Sequence, residues 1–269
     1  MTTEDRTLRV AIAQHDAALH GPDARFAWLD EQARALAGGN DLLVCPEVFV
    51  SGYDVGGDLH RYAEAADGDF AGRVSALARE TGMAIVYGYP ERDGDTVFNS
   101  ALAIGADGAT LANHRKTLLP PGFEADYFAA DGGLTLFTVK GVRIAVIICY
   151  EAEFPETVRN VAKLGAEVVC VPTALVEQWD QVAQRVIPTR AFENGVYLLY
   201  ANHAGREGRS AYYGGSCIAD PWGRDVARAG PEPVVLTATI DAATVHAAQA
   251  RLPYLRDCAR VPGTVRSDA

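Results

Sequence analysis

The strongest constraint on this chain is an order of elements that it writes twice. Leu42-Leu43-Val44-Cys45-Pro46-Glu47 is answered by Val168-Val169-Cys170-Val171-Pro172-Thr173, residues 84–89 by 197–202, and residues 99–114 by 215–229. In the first half an apolar run at 8–14 predicts a strand. Phe26, Leu29, Ala33 and Leu36 then recur at helical spacing over 24–37, until Gly38-Gly39 stops the pattern. A short buried strand at 41–45, a helix over 70–80 and a strand at 83–89 follow. Strands at 98–104 and 109–115 flank Gly105-Ala106-Asp107-Gly108, a hairpin signal, and 117–133 reads as loop. The second half opens with a hairpin, 134–139 and 142–148, across Lys140-Gly141. It continues with a helix over 155–164, a strand at 168–171, a helix over 178–194 interrupted by Pro188, and a strand at 196–201. Strands at 215–219 and 225–228 flank Asp220-Pro221-Trp222-Gly223, and a strand at 234–240 and a helix over 241–251 close the pattern.

Each half thus reads β-α-β-α-β-β-β, an order that gives a mixed sheet with helices on one face. Two such layers cover each other most economically sheet on sheet. The expectation is an α/β fold, a four-layer α-β-β-α sandwich with an internal pseudo-two-fold repeat. It is expected to form a single domain over residues 1–269, with 252–269, which holds Pro253 and Pro262, as an extended C-terminal arm.

Bulk properties narrow the function. The net charge of −11 argues against nucleic-acid binding, which needs basic surface. No apolar run reaches the ~18 residues of a membrane span. Met1-Thr2-Thr3-Glu4-Asp5-Arg6 lacks the basic and apolar regions of a signal peptide. Five cysteines without a CxxC suggest neither a disulfide framework nor a zinc site, so a reducing cytoplasm is the expected location. His15, His20, His60, His114, His203 and His246 show no metal-ligand spacing, and no metal or organic cofactor is expected.

Reactive side chains gather beyond the carboxyl ends of strands in open α/β sheets. Glu47 follows the second strand, Lys116 the fifth, and Cys149 the apolar run at 142–148. Lys116 stands out because only three of the 24 basic residues are lysines. A lysine beside Arg115 points to a need for a compact charge that a guanidinium does not meet. Glutamate, lysine and cysteine together make a complete acyl-transfer set. Cys45, Cys170, Cys217 and Cys258 read as strand or tail residues, and Lys140 and Lys163 as structural.

These motifs resemble the nitrilase superfamily of carbon–nitrogen hydrolases over roughly residues 8–240. Cys45-Pro46-Glu47 looks like its glutamate motif, His114-Arg115-Lys116-Thr117-Leu118-Leu119-Pro120 like its lysine motif, and Ile148-Cys149-Tyr150-Glu151 with Phe154-Pro155-Glu156 like its cysteine motif. Arg190-Ala191-Phe192-Glu193-Asn194 and Asp220-Pro221-Trp222-Gly223 match later stretches. Residues 84–92 and 198–202 resemble small-amide hydrolases such as 5-aminopentanamidase and stereoselective amidases.

The resemblance implies Cys149 as nucleophile, Glu47 as general base and Lys116 as the charge that stabilises the oxyanion and lowers the thiol pKa. The backbone N–H of Tyr150 is the expected second oxyanion donor, and Glu124 is expected to position the substrate and Lys116. Glu153 stands where relatives that cleave dicarboxylic amides carry arginine, so a cationic or neutral amide is expected; the alternative is that it caps the following helix. Thr173 completes the expected substrate-contacting set. The resemblance further implies a homodimer or higher homo-oligomer. The expected reaction is hydrolysis of small aliphatic or ω-amino amides through a thioester. A nitrilase or N-carbamoyl-amine hydrolase of the same fold is the near alternative, and an inert binding protein the distant one.

Overall fold

The computed structural model describes residues 6–261. The first half runs β1 (Thr7–Asp16), α1 (Gly21–Leu36), β2 (Leu42–Val44), α2 (Asp58–Arg61), α3 (Asp69–Thr81), β3 (Ala84–Asp93), β4 (Thr96–Ile104), β5 (Thr110–Arg115) and α4 (Phe123–Tyr127). The second begins with β6 (Thr135–Val139), β7 (Val142–Val146), a 3₁₀ turn (Cys149–Glu153), α5 (Pro155–Lys163) and β8 (Val168–Pro172). A 3₁₀ turn (Glu177–Trp179), a π turn (Val182–Val186), α6 (Ile187–Asn194) and β9 (Tyr197–Ala201) follow. The chain then forms β10 (His203–Ala204), β11 (Arg206–Glu207), β12 (Ser210–Ala211), β13 (Cys217–Ala219), β14 (Asp225–Arg228), β15 (Val234–Asp241), α7 (Ala242–Arg251) and α8 (Tyr254–Asp257). None of the helices described is long and apolar enough to cross a membrane.

Successive residues of a strand face opposite sides, and here they feed different cores. Val10, Ile12, Leu42, Val44, Ala84 and Val86 meet Ile144, Val146, Val168, Cys170, Leu199 and Ile218 in one cluster between the sheets. Their neighbours Ala11, Leu43, Ile85 and Leu102 pack instead against Leu29 and Ala33 of α1 and Val74 and Leu77 of α3. Ala145, Val169 and Leu198 pack against Val158 and Val161 of α5 and Ile187 and Ala191 of α6. These three cores separate four layers, α-β-β-α. The strands on both inner sheets are buried on both faces, which explains their near-continuous apolar runs.

The repeat is visible in the hydrogen bonding. β1, β2 and β3 are parallel, with β4 and β5 antiparallel beyond them. β7, β8 and β9 are parallel, with β13 and β14 antiparallel beyond them. The helices that lead into β3 and β9 end alike: α3 at Gly82 and α6 at Gly195, both left-handed. β6 pairs antiparallel with the free side of β7. The same place beside β1 belongs to β15, paired from Thr7↔Asp241 to Gln14↔Val234. The last strand of the chain therefore completes the first sheet.

Three segments differ from the sequence reading. The helix expected over 178–194 is broken into a 3₁₀ turn, a π turn and α6. Pro188, which lacks an N–H and crowds the preceding turn, sits in the first turn of α6, directly after the widened one. The loop at 117–133 contains α4, which carries Glu124. The expected extended arm is instead folded back where it is described. α8 and a 3₁₀ turn (Cys258–Arg260) follow α7, Leu255 packs on the outer core of the second sheet, and Tyr254 meets Phe192 edge-on at 5.8 Å. Residues 262–269 of that arm lie outside the described residues.

Candidate active site

Glu47, Lys116 and Cys149 arrive from the ends of β2, β5 and β7. Lys116 is 1% exposed, and its ammonium would be expelled from such a place without counter-charges. It has two: Nζ lies 2.7 Å from Glu47 Oε1 and 2.7 Å from each carboxylate oxygen of Glu124. Tyr53 donates its hydroxyl to Glu124 Oε1 at 2.7 Å. Asn99 donates Nδ2 to Glu47 Oε1 at 2.7 Å and to Glu124 Oε2 at 3.2 Å. The two oxygens of Glu47 are thus unlike: Oε1 takes two donors, whereas Oε2 is buried with no partner among the described residues.

Protonation follows from this packing. Burial pushes the Glu47 carboxyl up, against the pull of Lys116, to about 7. Burial lowers Lys116, but the Glu47 and Glu124 carboxylates outweigh it and hold the ammonium protonated. The Cys149 thiol is pushed well up by burial and by Glu47, which together exceed the opposing influence of Lys116. The lysine lowers the thiol pKa as expected in direction, yet its charge is already shared between two carboxylates. The resting pair is therefore a neutral thiol beside a carboxylate poised near neutrality.

Cys149 sits in a turn that the surroundings hold under strain. Its φ is +44°, a left-handed value that non-glycine residues rarely take. Glu151 clamps the turn from one side: it accepts from Ile148 N at 2.6 Å, from Thr117 N at 2.8 Å, and pairs with His114 Nε2 at 2.8 Å. Arg190 of α6 clamps the other side, donating to the Ala152 and Glu153 carbonyls at 3.2 and 2.6 Å. Tyr150 is the second residue of this 3₁₀ turn, where the backbone N–H has no partner within the turn. Its ring packs edge-on against Phe154, with centroids 5.0 Å apart.

The other expected residues divide. Glu124 joins the lysine. Glu153 is half-buried beside this cluster and its carboxylate accepts no hydrogen bond among the described residues; burial raises it, against Lys116 and Arg190. Thr173 is fully buried, with its hydroxyl donating to the Val171 carbonyl at 3.2 Å and its own carbonyl accepting from Glu47 N at 3.4 Å. The neighbouring backbone N–H of Ala174 favours the Cys149 thiolate weakly.

Several participants escaped the sequence reading. Asn99 shares its face of β4 with the core residues Ala101 and Ala103, so a polar residue at an inward position was a usable signal. Glu151 belongs to the cysteine motif, but its place in that motif does not reveal the clamp. His203, kept neutral by burial with its pKa lowered to about 3, donates Nε2 to the Glu47 carbonyl at 2.8 Å. Tyr53 lies in a segment without periodicity, and nothing local marks it. No group of three or more His, Cys, Asp or Glu among the described residues is placed to hold a metal ion.

Comparison with known proteins fits this geometry. The carbon–nitrogen hydrolase family profile matches residues 9–250. A protein of Pseudomonas protegens described as "hydrolase in pqqF 5′ region" is 41% identical over 220 residues, 81% of this chain and 77% of that one. An (R)-stereoselective amidase of Pseudomonas sp. is 34% identical over 222 residues, 82% of this chain and 80% of its own. Among solved structures, a mutant of the amidase from Nesterenkonia sp. AN1, which carries the acetamide moiety of fluoroacetamide on its active-site cysteine, superposes with a TM-score of 0.82. It is 31% identical, and 93% of each chain is covered. The chain belongs to the carbon–nitrogen hydrolase family, within the nitrilase superfamily.

Proposed function

We propose that the protein is an amidase that hydrolyses small aliphatic or ω-amino amides to the carboxylic acid and ammonia through a thioester on Cys149. The carrying observation is the division of labour in Glu47, whose Oε1 is bound to Lys116 and Asn99 while Oε2 remains unpartnered. A neutral thiol needs a base, and Oε2 is the Glu47 oxygen left free to accept its proton. As the sulfur attacks the amide carbon, its proton passes to Glu47. The oxyanion that forms is met by Lys116 Nζ and the Tyr150 N–H. Collapse breaks the C–N bond, and Glu47 returns the proton to the departing ammonia. Water then enters, gives a proton to Glu47 and attacks the thioester; the C–S bond breaks and the thiol regains its proton. The (R)-stereoselective amidase and the cysteine adduct of the solved amidase support this reading.

Substrate choice rests on Glu153, a half-buried carboxylate with no protein donor among the described residues. Such a group repels a second carboxylate and favours an ammonium or a neutral chain. We read the three cores as one hydrolase domain, acting in a reducing cytoplasm where the thiol of Cys149 stays free. We also infer a homodimer formed through the α5–α6 face, where Leu164, Phe192 and Tyr254 are exposed.

An ammonia-release panel tests the function. 5-Aminopentanamide and propionamide should be hydrolysed faster than a dicarboxylic monoamide, matching nitriles should be inert, and carbamoyl compounds should release no carbon dioxide. Cys149→Ala should abolish all release. Preference for the monoamide would remove the role given to Glu153, and turnover of the nitrile would make the protein a nitrilase.

A further inference from the structure

One neutral side chain touches both carboxylates that surround Lys116. Asn99 is fully buried near the start of β4. Carboxylates only accept, so the amide nitrogen of Asn99 must face them. It reaches Glu47 Oε1 at 2.7 Å and Glu124 Oε2 at 3.2 Å, while its Oδ1 has no partner among the described residues. The same residue also fixes the lysine, because its backbone carbonyl accepts from Lys116 N at 2.8 Å. Asn99 therefore holds three of the charged groups at fixed spacing. Without its donor, Glu47 keeps one anchor, Lys116, and is free to turn about its last torsion and offer either oxygen.

We propose that Asn99 is a positioning residue for amide hydrolysis: it anchors Glu47 Oε1 and spaces Glu47 from Glu124, so that Oε2 is the oxygen that takes the thiol proton. This rests on the reading of Glu47 as the base. The titratable groups that face Glu47 are Lys116 from the end of β5, Glu124 from α4, Tyr53 from the loop after β2, Cys149 from the strained turn and, at the backbone carbonyl, His203 of β10. Lys116 and Asn99 favour its ionised form, while burial and Glu124 oppose it.

The test uses the full chain with Asn99→Leu, which keeps the shape without a donor, and Asn99→Ser, which retains one donor. Melting temperature, kcat, KM and the pH dependence of kcat/KM are measured for both, with the rate of Cys149 alkylation by iodoacetamide against pH. In Asn99→Leu, kcat should fall by about a hundredfold with KM nearly unchanged, as expected for a misplaced base. The acidic limb should move up by about one to two pH units, the scale of one lost hydrogen bond to a charged group. The alkylation profile should move with it, and Asn99→Ser should lie between. If Asn99→Leu does not fold, the shift in Asn99→Ser decides. An unmoved acidic limb in a folded variant, with activity falling only as stability falls, would make Asn99 merely structural. Glu47→Gln separates the premises: if it stays active, the base assignment fails; if it is dead while the limb of the Asn99 variants stays put, only the Asn99 proposal fails.

Discussion

At the scale of single residues, the site is governed by how Glu47 carries its proton. A carboxyl at about 7 works as a base only when ionised, so kcat/KM should rise with pH through a midpoint near that value. Glu47→Gln should remove both the limb and the activity, checked by initial rates from pH 5 to 9. The same shift has a stability consequence. The folded state holds Glu47 protonated between 4.5, its ordinary value, and about 7, while the unfolded state does not. Its contribution to stability is therefore full at low pH and is lost as pH rises across that window. The Gln variant, which cannot titrate, should gain stability relative to the parent as pH rises from 5 to 7.5 in urea titrations; a constant difference would contradict the raised carboxyl. Much of this was legible in the chain. Glu47 and Cys149 follow apolar strands and Lys116 follows the more polar β5, each a local strand-end signal. Thr173 follows an apolar strand too, and its hydroxyl bonds back onto that strand, a contact that strand-end logic alone does not foresee.

At the scale of elements, β3 reaches the site through a glycine. Gly88 lies between Tyr87 and Tyr89 and donates its N–H to the Pro46 carbonyl at 3.1 Å, while its own carbonyl accepts from Val50 N at 3.2 Å. A Cβ at Gly88 would collide with Val48 N and stand 2.6 Å from the Pro46 oxygen and 2.7 Å from the Glu47 Cα. All three are backbone atoms, so no side chain can swing aside. Gly88→Ala should cost about 1–3 kcal/mol by overpacking, measured by denaturant unfolding, and should lower kcat by displacing Glu47. An alanine variant with wild-type kcat would show that the loop yields without moving its carboxylate. Element identity was readable here because alternation and helix stops are local. Partners were not: β15 reads as an ordinary last strand, and only its pairing with β1, some 225 residues earlier, completes the first sheet. The π turn before Pro188 was also hidden, since an apolar helical spacing survives a single widened turn.

At the scale of the molecule, two connections among several tie the halves of the repeat together. One is β15 on β1; the other is a charge pair. Arg25 of α1 meets Glu207 of β11 at 2.7 Å, and the two side chains are 0% and 2% exposed. Arg25 also donates to the Phe49 and Ala17 carbonyls, at 3.0 and 3.2 Å. Glu207 accepts further from Tyr53 N, Asp54 N and the Tyr212 hydroxyl, at 2.7, 2.8 and 3.1 Å. The pair thus ties the second half to the loop that carries Tyr53, whose hydroxyl reaches Glu124. Removing one member leaves the other charged and buried, which costs about 3–5 kcal/mol. Arg25→Met and Glu207→Gln should each destabilise on that scale. The double variant should be less destabilised than the sum of the two, because no unpaired charge remains and the glutamine oxygen still accepts from Tyr53 and Asp54. Additive losses in the double-mutant cycle would mean that the two residues act separately and that this pair does not couple the halves.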